Sequence, residues 1–529
     1  MATKTPANAP QVSAKSLWND NANAQSAPLQ RARDASALTI PSLLPPEGSN
    51  DSSSLTQPYQ SLGARGVNNL ASKMLMALFP PGSAPFRYTL SKVAQQGAGA
   101  EDTSEVEAAL AQRESDIMDQ VEASPQRPIL YEYFLHLIVG GNATLYYPDM
   151  QSMRMYTLDQ FRSRRTPSGQ MLDLAILEKV SPAALDLDVC TACQVDPTQK
   201  DDVELYTAVQ WRNGTVTWWQ EINDIVVPGS QANAPAAKSP WIVGRWKAVP
   251  GSHYGRGHVE ELMGDMISYD GICQAIVQFA AAAAKIVFLK HPSSSTRMED
   301  IANAESGDCV TGTRADIDIL QLDKYADFQV AQRTAEDLSQ RLSQAFLLQS
   351  GTTRNAERVT AEEIRATAQE LEDVVGGIYT VQSQDLQLPW VNRTITILEK
   401  ARLIPLLPKG AVMPVIVTGF QALGRNHQLN QLRGFMQDLF QLVTPQVAVG
   451  LVQAPALAQR LATGWGVTNS SEIVKTPDQV KQEQAEAAKA QMSANMIDKA
   501  TGPMAQAMAK GDIDPSQLQQ MAAAQKSNQ

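Results

Sequence analysis

The stretch from Arg341 to Pro389 constrains this chain most, because two helical patterns flank a short polar insert. Leu338, Leu342, Ala345 and Phe346 recur at spacings of three and four residues, which predicts a helix with one buried face. After the insert, Thr360-Ala-Glu-Glu363 forms a capping box, and Val359 with Ile364 forms the accompanying hydrophobic staple, so the second helix has a defined start. Ile364, Ala368, Leu371, Val375 and Ile378 keep one apolar face until Gly376-Gly377 interrupts it, at about 1 kcal/mol per glycine. That exceeds the roughly 1 kcal/mol a good N-cap contributes. The spacing therefore predicts a kink or short break, a hinge at Gly376 and Gly377, with helix resuming before Leu386-Gln-Leu-Pro389. The insert Gln349 to Glu357 is too polar for core and too short for a domain, which makes it an exposed loop.

A chain of 529 residues with 43% hydrophobic and 19% charged residues can bury a large core and is not wholly disordered. The Met1-Ala-Thr-Lys-Thr-Pro start lacks the apolar run of a signal peptide, which argues against secretion by that route. The most apolar segment, Ile272 to Leu289, contains Gln274, Gln278 and Lys285 and does not read as a membrane span. Cys190, Cys193, Cys273 and Cys309 are too few for a disulfide framework and point to a reducing compartment. The net charge of −11 disfavours a protein that grips DNA through a basic patch, yet it suits one that surrounds DNA without holding it.

Along the chain, residues 1–60 are rich in Ala, Ser, Asn, Gln and Pro, which suggests either a mobile arm or one ordered against a neighbouring subunit, with one short helix over Leu29 to Leu38. Helices are expected at Gly63 to Phe79, Glu105 to Val121 and Pro128 to Val139, the last broken by Gly140-Gly141 ahead of a strand at Thr144 to Tyr147. ELYTAVQW and TVTWW flank Arg212-Asn-Gly-Thr215, the pattern of a type I′ hairpin. Trp211, Trp218 and Trp219 are read as sheet packing in preference to a base-stacking platform. Pro240 to Gly257 looks loop-like. A long helical pattern then runs from His258, bending near Asp270-Gly271, and Val259 to Ala284 spans roughly 39 Å. Strand-like pieces at Ile286 to Leu289, Cys309 to Thr313 and Ile317 to Leu322, with a brief helix near Glu299 to Ala304, form a compact insert before a second long helix at Ala331 to Leu348. Val391 to Leu403 continues the helical material, Val412 to Phe420 reads as an edge strand because of Pro414, and helices follow at His427 to Leu442 and Gln446 to Ala462.

No phosphate loop, His-Glu-x-x-His helix or Gly-x-Ser-x-Gly elbow is present, so no ATP-driven motor is encoded. Cys190 and Cys193 form a lone C-x-x-C, read as structural thiols in preference to a metal site. His253 and His258 fit a turn before the long helix. Glu260-Glu261, Glu362-Glu363 and Glu370-Glu372-Asp373 read as solvated faces or caps, not as catalytic pairs.

The strings RLSQAFLL, NAERVTAEEIRATAQELEDVVGGIY and GSHYGRGHVEELMGDMISYDGICQAIVQFAAAAAK closely resemble the head-to-tail connector (portal) proteins of short-tailed, podovirus-type bacteriophages, from about Leu17 to about Phe440. The resemblance implies an α+β, predominantly helical portal fold, assembled as a dodecameric ring around a channel. It divides the chain into an N-terminal arm (1–60), wing (61–256), stem helix (257–285), clip (286–325), second stem helix (326–348), channel loop (349–358), wing with a kinked long helix (359–420), crown (421–475) and low-complexity tail (476–529). It further implies a non-enzymatic role without cofactor or metal: replacing one capsid vertex, nucleating head assembly, docking the terminase, passing double-stranded DNA and carrying the tail. The partners it implies are the terminase, the major capsid protein, a scaffolding protein, tail adaptors and internal core proteins, in a virion assembled in the host cytoplasm with no membrane involved. Ser350, Gly351, Thr352, Thr353, Arg354, Asn355 and Arg358 would face the DNA, with Arg354 best placed to meet a phosphate. The competing reading is a structural or scaffold-type assembly protein without a channel.

Overall fold

Helix α3, Leu62–Leu78, runs through the largest core, with Val67, Leu70, Ala71, Met74 and Leu78 fully buried. The computed structural model describes residues 12–50, 52–81, 84–90, 100–283, 287–292, 297, 299–300, 303–309, 311, 317–320, 325–348, 377–407 and 412–416, with isolated positions beyond 433. It divides into two units, residues 1–423 and 424–529, and nearly all described residues belong to the first. The helices expected at 427–442 and 446–462 lie outside the described residues apart from a few positions.

Helix α1 spans Ala14–Asp20, α2 Ala22–Ala37, α4 Ala100–Glu122 and α5 Gln126–Gly140. Helix α5 is apolar on all sides and is accordingly buried, packing on both α2 and α3. It stops at Gly141, whose φ of 72° is the left-handed conformation of a helix terminus and whose N–H bonds Leu137 O at 2.9 Å. A Cβ at Gly141 would also lie 2.5 Å from the Gly257 nitrogen, so conformation and contact both require glycine.

Strand β2, Asn142–Tyr146, follows directly and is the middle of a three-stranded sheet between β3, Arg154–Tyr156, and β10, Trp241–Arg245. Strand β10 corrects the loop-like reading of 240–257. Trp241 to Arg245 are all buried, so the segment has no polar face to give the alternation of a half-exposed strand. A larger antiparallel sheet joins β4, Phe161–Arg165, β5, Met171–Val180, β6, Val203–Arg212, β7, Thr215–Ile222, and β8, Ile225–Val226, with β9, Ala232–Pro235, also on β7. The β6–β7 turn places Asn213 at φ 52° and Gly214 at φ 75°, as a type I′ hairpin requires. Trp219 is buried, and Trp211 and Trp218 pack on the core between sheets, so the three indoles serve the fold.

The N-terminal region is not a free arm over residues 14–37. Leu17 and Trp18 pack on the large sheet with Tyr206 and Trp219. Buried Glu221 accepts from Ser13 Oγ and the Ala14 N–H, both at 2.7 Å, and from Trp219 Nε1 at 2.9 Å. Its carboxylate thus meets the positive end of α1. Arg162 lies 3.9 Å from the Trp18 ring centre. Cys190 and Cys193, at the end of the short helix α6, Leu187–Ala192, are buried in a small apolar cluster with Val195, Val203 and Ile222. Among the described residues no group of three His, Cys, Asp or Glu is placed to hold a metal, and no helix is long and apolar enough to cross a membrane.

Two further expectations are corrected. The pattern starting at His258 breaks at Leu262, between α7, His258–Glu261, and α8, Met263–Ala283, and runs unbroken through Asp270 and Gly271. Packing along the partner helix α9, Tyr325–Ala345, outweighs the modest helix cost of Gly271. The helical material continues past Pro389, as expected. Residues 377–382 are helical, pass through a π-helical turn at Ser383–Gln387, and continue as α10, Leu388–Lys400, where Pro389 sits in the first turn and needs no N–H partner. Strands β11, Val287–Lys290, and β12, Ile317–Leu320, pair antiparallel; Cys309 and Thr311 are not in a strand. Strand β13, Val412–Ile416, pairs with β1, Phe86–Leu90, and Pro414 stands opposite Tyr88 in this two-stranded ribbon.

His136 on α5 is buried with no partner for Nδ1, and burial lowers its pKa to about 4 against the pull of Asp159. The folded state therefore holds this imidazole neutral, while the unfolded chain takes up a proton below pH 6.5. Its contribution to stability is full above about 6.5 and is lost as the pH falls toward about 4, at about 1.4 kcal/mol per pH unit. The urea midpoint should drop between pH 7.5 and 5, and the drop should be smaller in His136→Leu. An equal drop in that variant would refute the assignment.

Candidate channel-loop frame and assembly surface

The segment 349–376, which contains the predicted channel loop, lies outside the described residues, and so do Ser350, Gly351, Thr352, Thr353, Arg354, Asn355, Arg358 and Gly376. The structure shows how the chain enters and leaves it. On entry, α9 ends at Ala345 and the turn Phe346, Leu347, Leu348 follows, with Leu347 at φ 54°. Asn69 Nδ2 donates to the carbonyls of Phe346 and Leu347, both at 3.0 Å, and Lys73 Nζ donates to Leu347 O at 2.9 Å. Asn69 and Lys73 are four residues apart on α3, so they reach the same turn from one helix face. His258 Nε2 lies 3.0 Å from Ala345 O, which assigns the proton to Nε2; burial lowers the pKa of this histidine, opposed by that bond. Phe346 rests on Gly66, where a Cβ would lie 2.5 Å from the ring.

On exit, Gly377 is helical, and a Cβ there would meet nothing within 4 Å. Tyr379 Oη donates to Ala77 O at 3.2 Å, and Gln387 Nε2 donates to Leu78 O at 2.5 Å. These carbonyls belong to the last turn of α3, whose C-terminal acceptors lack helical donors. Gln382 Nε2 bonds Arg245 O at 2.6 Å, and Asp385, in the π-helical turn, lies 3.6 Å from Arg245. One helix therefore fixes both ends of the segment: its middle holds the entry and its terminus holds the exit.

Helices α8 and α9 form an antiparallel pair tied by Phe279 stacked on Phe328, ring centres 5.2 Å apart, and by Arg341 at 3.4 Å from Asp265. Tyr269 hydrogen-bonds Ser339 across the pair and Cys273 within α8, and burial raises its pKa. The pair leaves much apolar surface uncovered. Within α8 only Met266 is buried, while Ile267 is 56% exposed and Val277 53%, and Val330 on α9 is 65% exposed. Ala280 to Ala283 are exposed too, and Ala284 lies outside the described residues. So apolar a helix with one buried residue needs another surface to cover it. Glu260 and Glu261, at the root of the pair, are matched by Arg31, Arg256 and Lys247.

Sequence reasoning missed the frame residues Asn69, Lys73, Tyr379, Gln382 and Gln387. The signal was present, since each is a polar side chain within an apolar helical pattern, but their partners are backbone carbonyls, which leave no trace in side-chain periodicity.

The family model for the bacteriophage head to tail connecting protein matches residues 11–473. The portal protein of Enterobacteria phage T3 is 37% identical over 477 residues, covering 88% of this chain and 89% of its own length. That of Escherichia phage T7 is 34% identical over 513 residues, 94% of each chain, and that of Enterobacteria phage SP6 is 31% identical over 496 residues, 90% of this chain and 93% of its own. With the match spanning both sheets, the helix pair and the frame around 349–376, the chain belongs to the bacteriophage head to tail connecting protein family and serves at the portal vertex between head and tail of the virion.

Proposed function

We propose that this chain acts as one subunit of a closed ring of about twelve copies, whose channel passes double-stranded DNA during packaging and ejection. The α8–α9 pair forms the stem, the β11–β12 hairpin belongs to the clip, and the exposed apolar face of α8 is covered by the neighbouring subunit. The role is structural, without catalysis or cofactor: the ring nucleates head assembly with the capsid and scaffolding proteins, docks the terminase, and later carries tail adaptors and internal core proteins.

The observation that carries this reading is the double anchorage on α3. Entry is held by Asn69 and Lys73, and exit by the carbonyls of Ala77 and Leu78. A loop with fixed ends can project into a channel at a set depth in every subunit. Within it, residues 349–358 form the narrowest constriction, Arg354 is the cation that meets passing phosphates, and Gly376-Gly377 is the hinge. Rings of guanidinium groups in an otherwise acidic channel make transient contacts that hinder back-slippage without trapping the duplex.

Removing Gly351 to Asn355 should leave ring formation intact and reduce the DNA retained in heads after the motor detaches. Retention equal to wild type would reject the constriction role. Loosening the frame should act in the same direction: Asn69→Ala with Lys73→Met removes one part-buried and one buried donor from Leu347 O, the buried one at about 1–3 kcal/mol. Amide exchange at residues 345–348 should then speed up while β5–β6 stays protected. Unchanged exchange there would show that α3 does not hold the entry.

A further inference from the structure

We infer that the groove between strand β9 and helix α10 is a docking site for an extended acidic peptide segment that also presents an apolar side chain. The groove has a volume of about 260 Å³ and is walled by Ala234 and Pro235 of β9, by Lys238, and by Arg393, Glu399 and Lys400 of α10, with Leu406 at its side. Its charge is one-sided. Lys238 and Lys400 are exposed, and among the described residues neither has a carboxylate within ion-pair distance. Arg393 is 8% exposed; its Nε donates to Tyr147 O at 2.7 Å and its Nη2 to Pro148 O at 2.5 Å, leaving Nη1 without a partner among the described residues. The one carboxylate, Glu399, is already paired with Arg113 at 2.9 Å. Three cations thus converge on one groove in a chain of net charge −11.

Two features select a peptide over nucleic acid. Strand β9 pairs with β7 on one edge only, so among the described residues its other edge has no strand beside it; Pro235 has no N–H to give, and an extended segment can add there through the Asn233 N–H and C=O and the Pro235 carbonyl. The groove also has an apolar wall, in which Leu406, 77% exposed, joins Ala234 and Pro235 in the lining. Carboxylates meet the cations in charge-assisted bonds while an apolar side chain covers Leu406. A duplex would instead require cations strung out at phosphate spacing and gains nothing from a leucine.

Fluorescence anisotropy on the assembled full-length protein tests this, with a labelled short peptide alternating Glu and Leu and, as the second probe, a labelled short DNA duplex. The peptide should bind saturably. Lys238→Glu with Lys400→Glu should weaken it at least about tenfold, and Leu406→Asp should weaken it similarly, with an unchanged urea midpoint showing that these surface variants fold. The inference is overturned if the peptide does not bind or if the double variant binds it equally well. It is also overturned if the duplex or inorganic phosphate displaces the peptide while Leu406→Asp has no effect, which marks an oxyanion site only. Amine labelling that finds Lys238 and Lys400 shielded in the ring but open in the dissociated subunit assigns the groove to a second copy, and that too refutes it.

Discussion

The hydrogen bonds from α3 to the two ends of the 349–376 segment are the constraint on which the rest depends. Helix α3 can hold those ends because its own position is over-determined. Val67, Leu70, Ala71, Met74 and Leu78 are fully buried, and Gly63 and Gly66 let the Leu38 carbonyl and the Phe346 ring approach to distances that a Cβ would not allow without a shift. The same helix is thus a packing rod on one side and a row of polar hooks on the other. Buried hooks on backbone carbonyls are costly to lose, since each loss strands an acceptor away from water. The frame is therefore stiff where the chain enters and leaves the segment, whatever happens between.

The second constraint is the apolar surface of the helix pair. An isolated subunit exposing Ile267, Val277 and Val330 has an incentive to associate, and a contact between different faces of successive copies either closes into a ring or grows as an open helix. Membership of the head to tail connecting family, at the vertex between head and tail, fits closure.

Much of this was legible in the sequence, for identifiable reasons. Helices α3, α4 and α5 carry strong periodicity or unbroken apolar runs, and Asn213-Gly214 announces its hairpin. Strand β10 was not legible, because complete burial removes the alternation that marks a strand. The break at Leu262 was missed because no glycine or proline marks it; the chain turns there as His258 packs between Trp246 and Phe346, a tertiary cause. Helix α1 and the first half of α2 were hidden by a composition of Ala, Ser, Asn and Gln that resembles disorder, so that only the Leu29 to Leu38 half of α2 was read as helix; Leu17 and Trp18 were the overlooked clue. For the candidate site, the sequence pointed to the loop and the glycine pair, but the residues that frame them act through backbone carbonyls and could not be found by pattern.

The most direct test of the account is electron microscopy of the purified full-length protein, with subunits counted by native mass spectrometry. Closed rings of about twelve copies, with the apolar face of Met263–Ala283 buried against the neighbouring subunit and the 349–358 segment facing the central opening, are the predicted result. Monomers, open filaments, or rings in which that face points to solvent and the segment lies on the outer surface would contradict it.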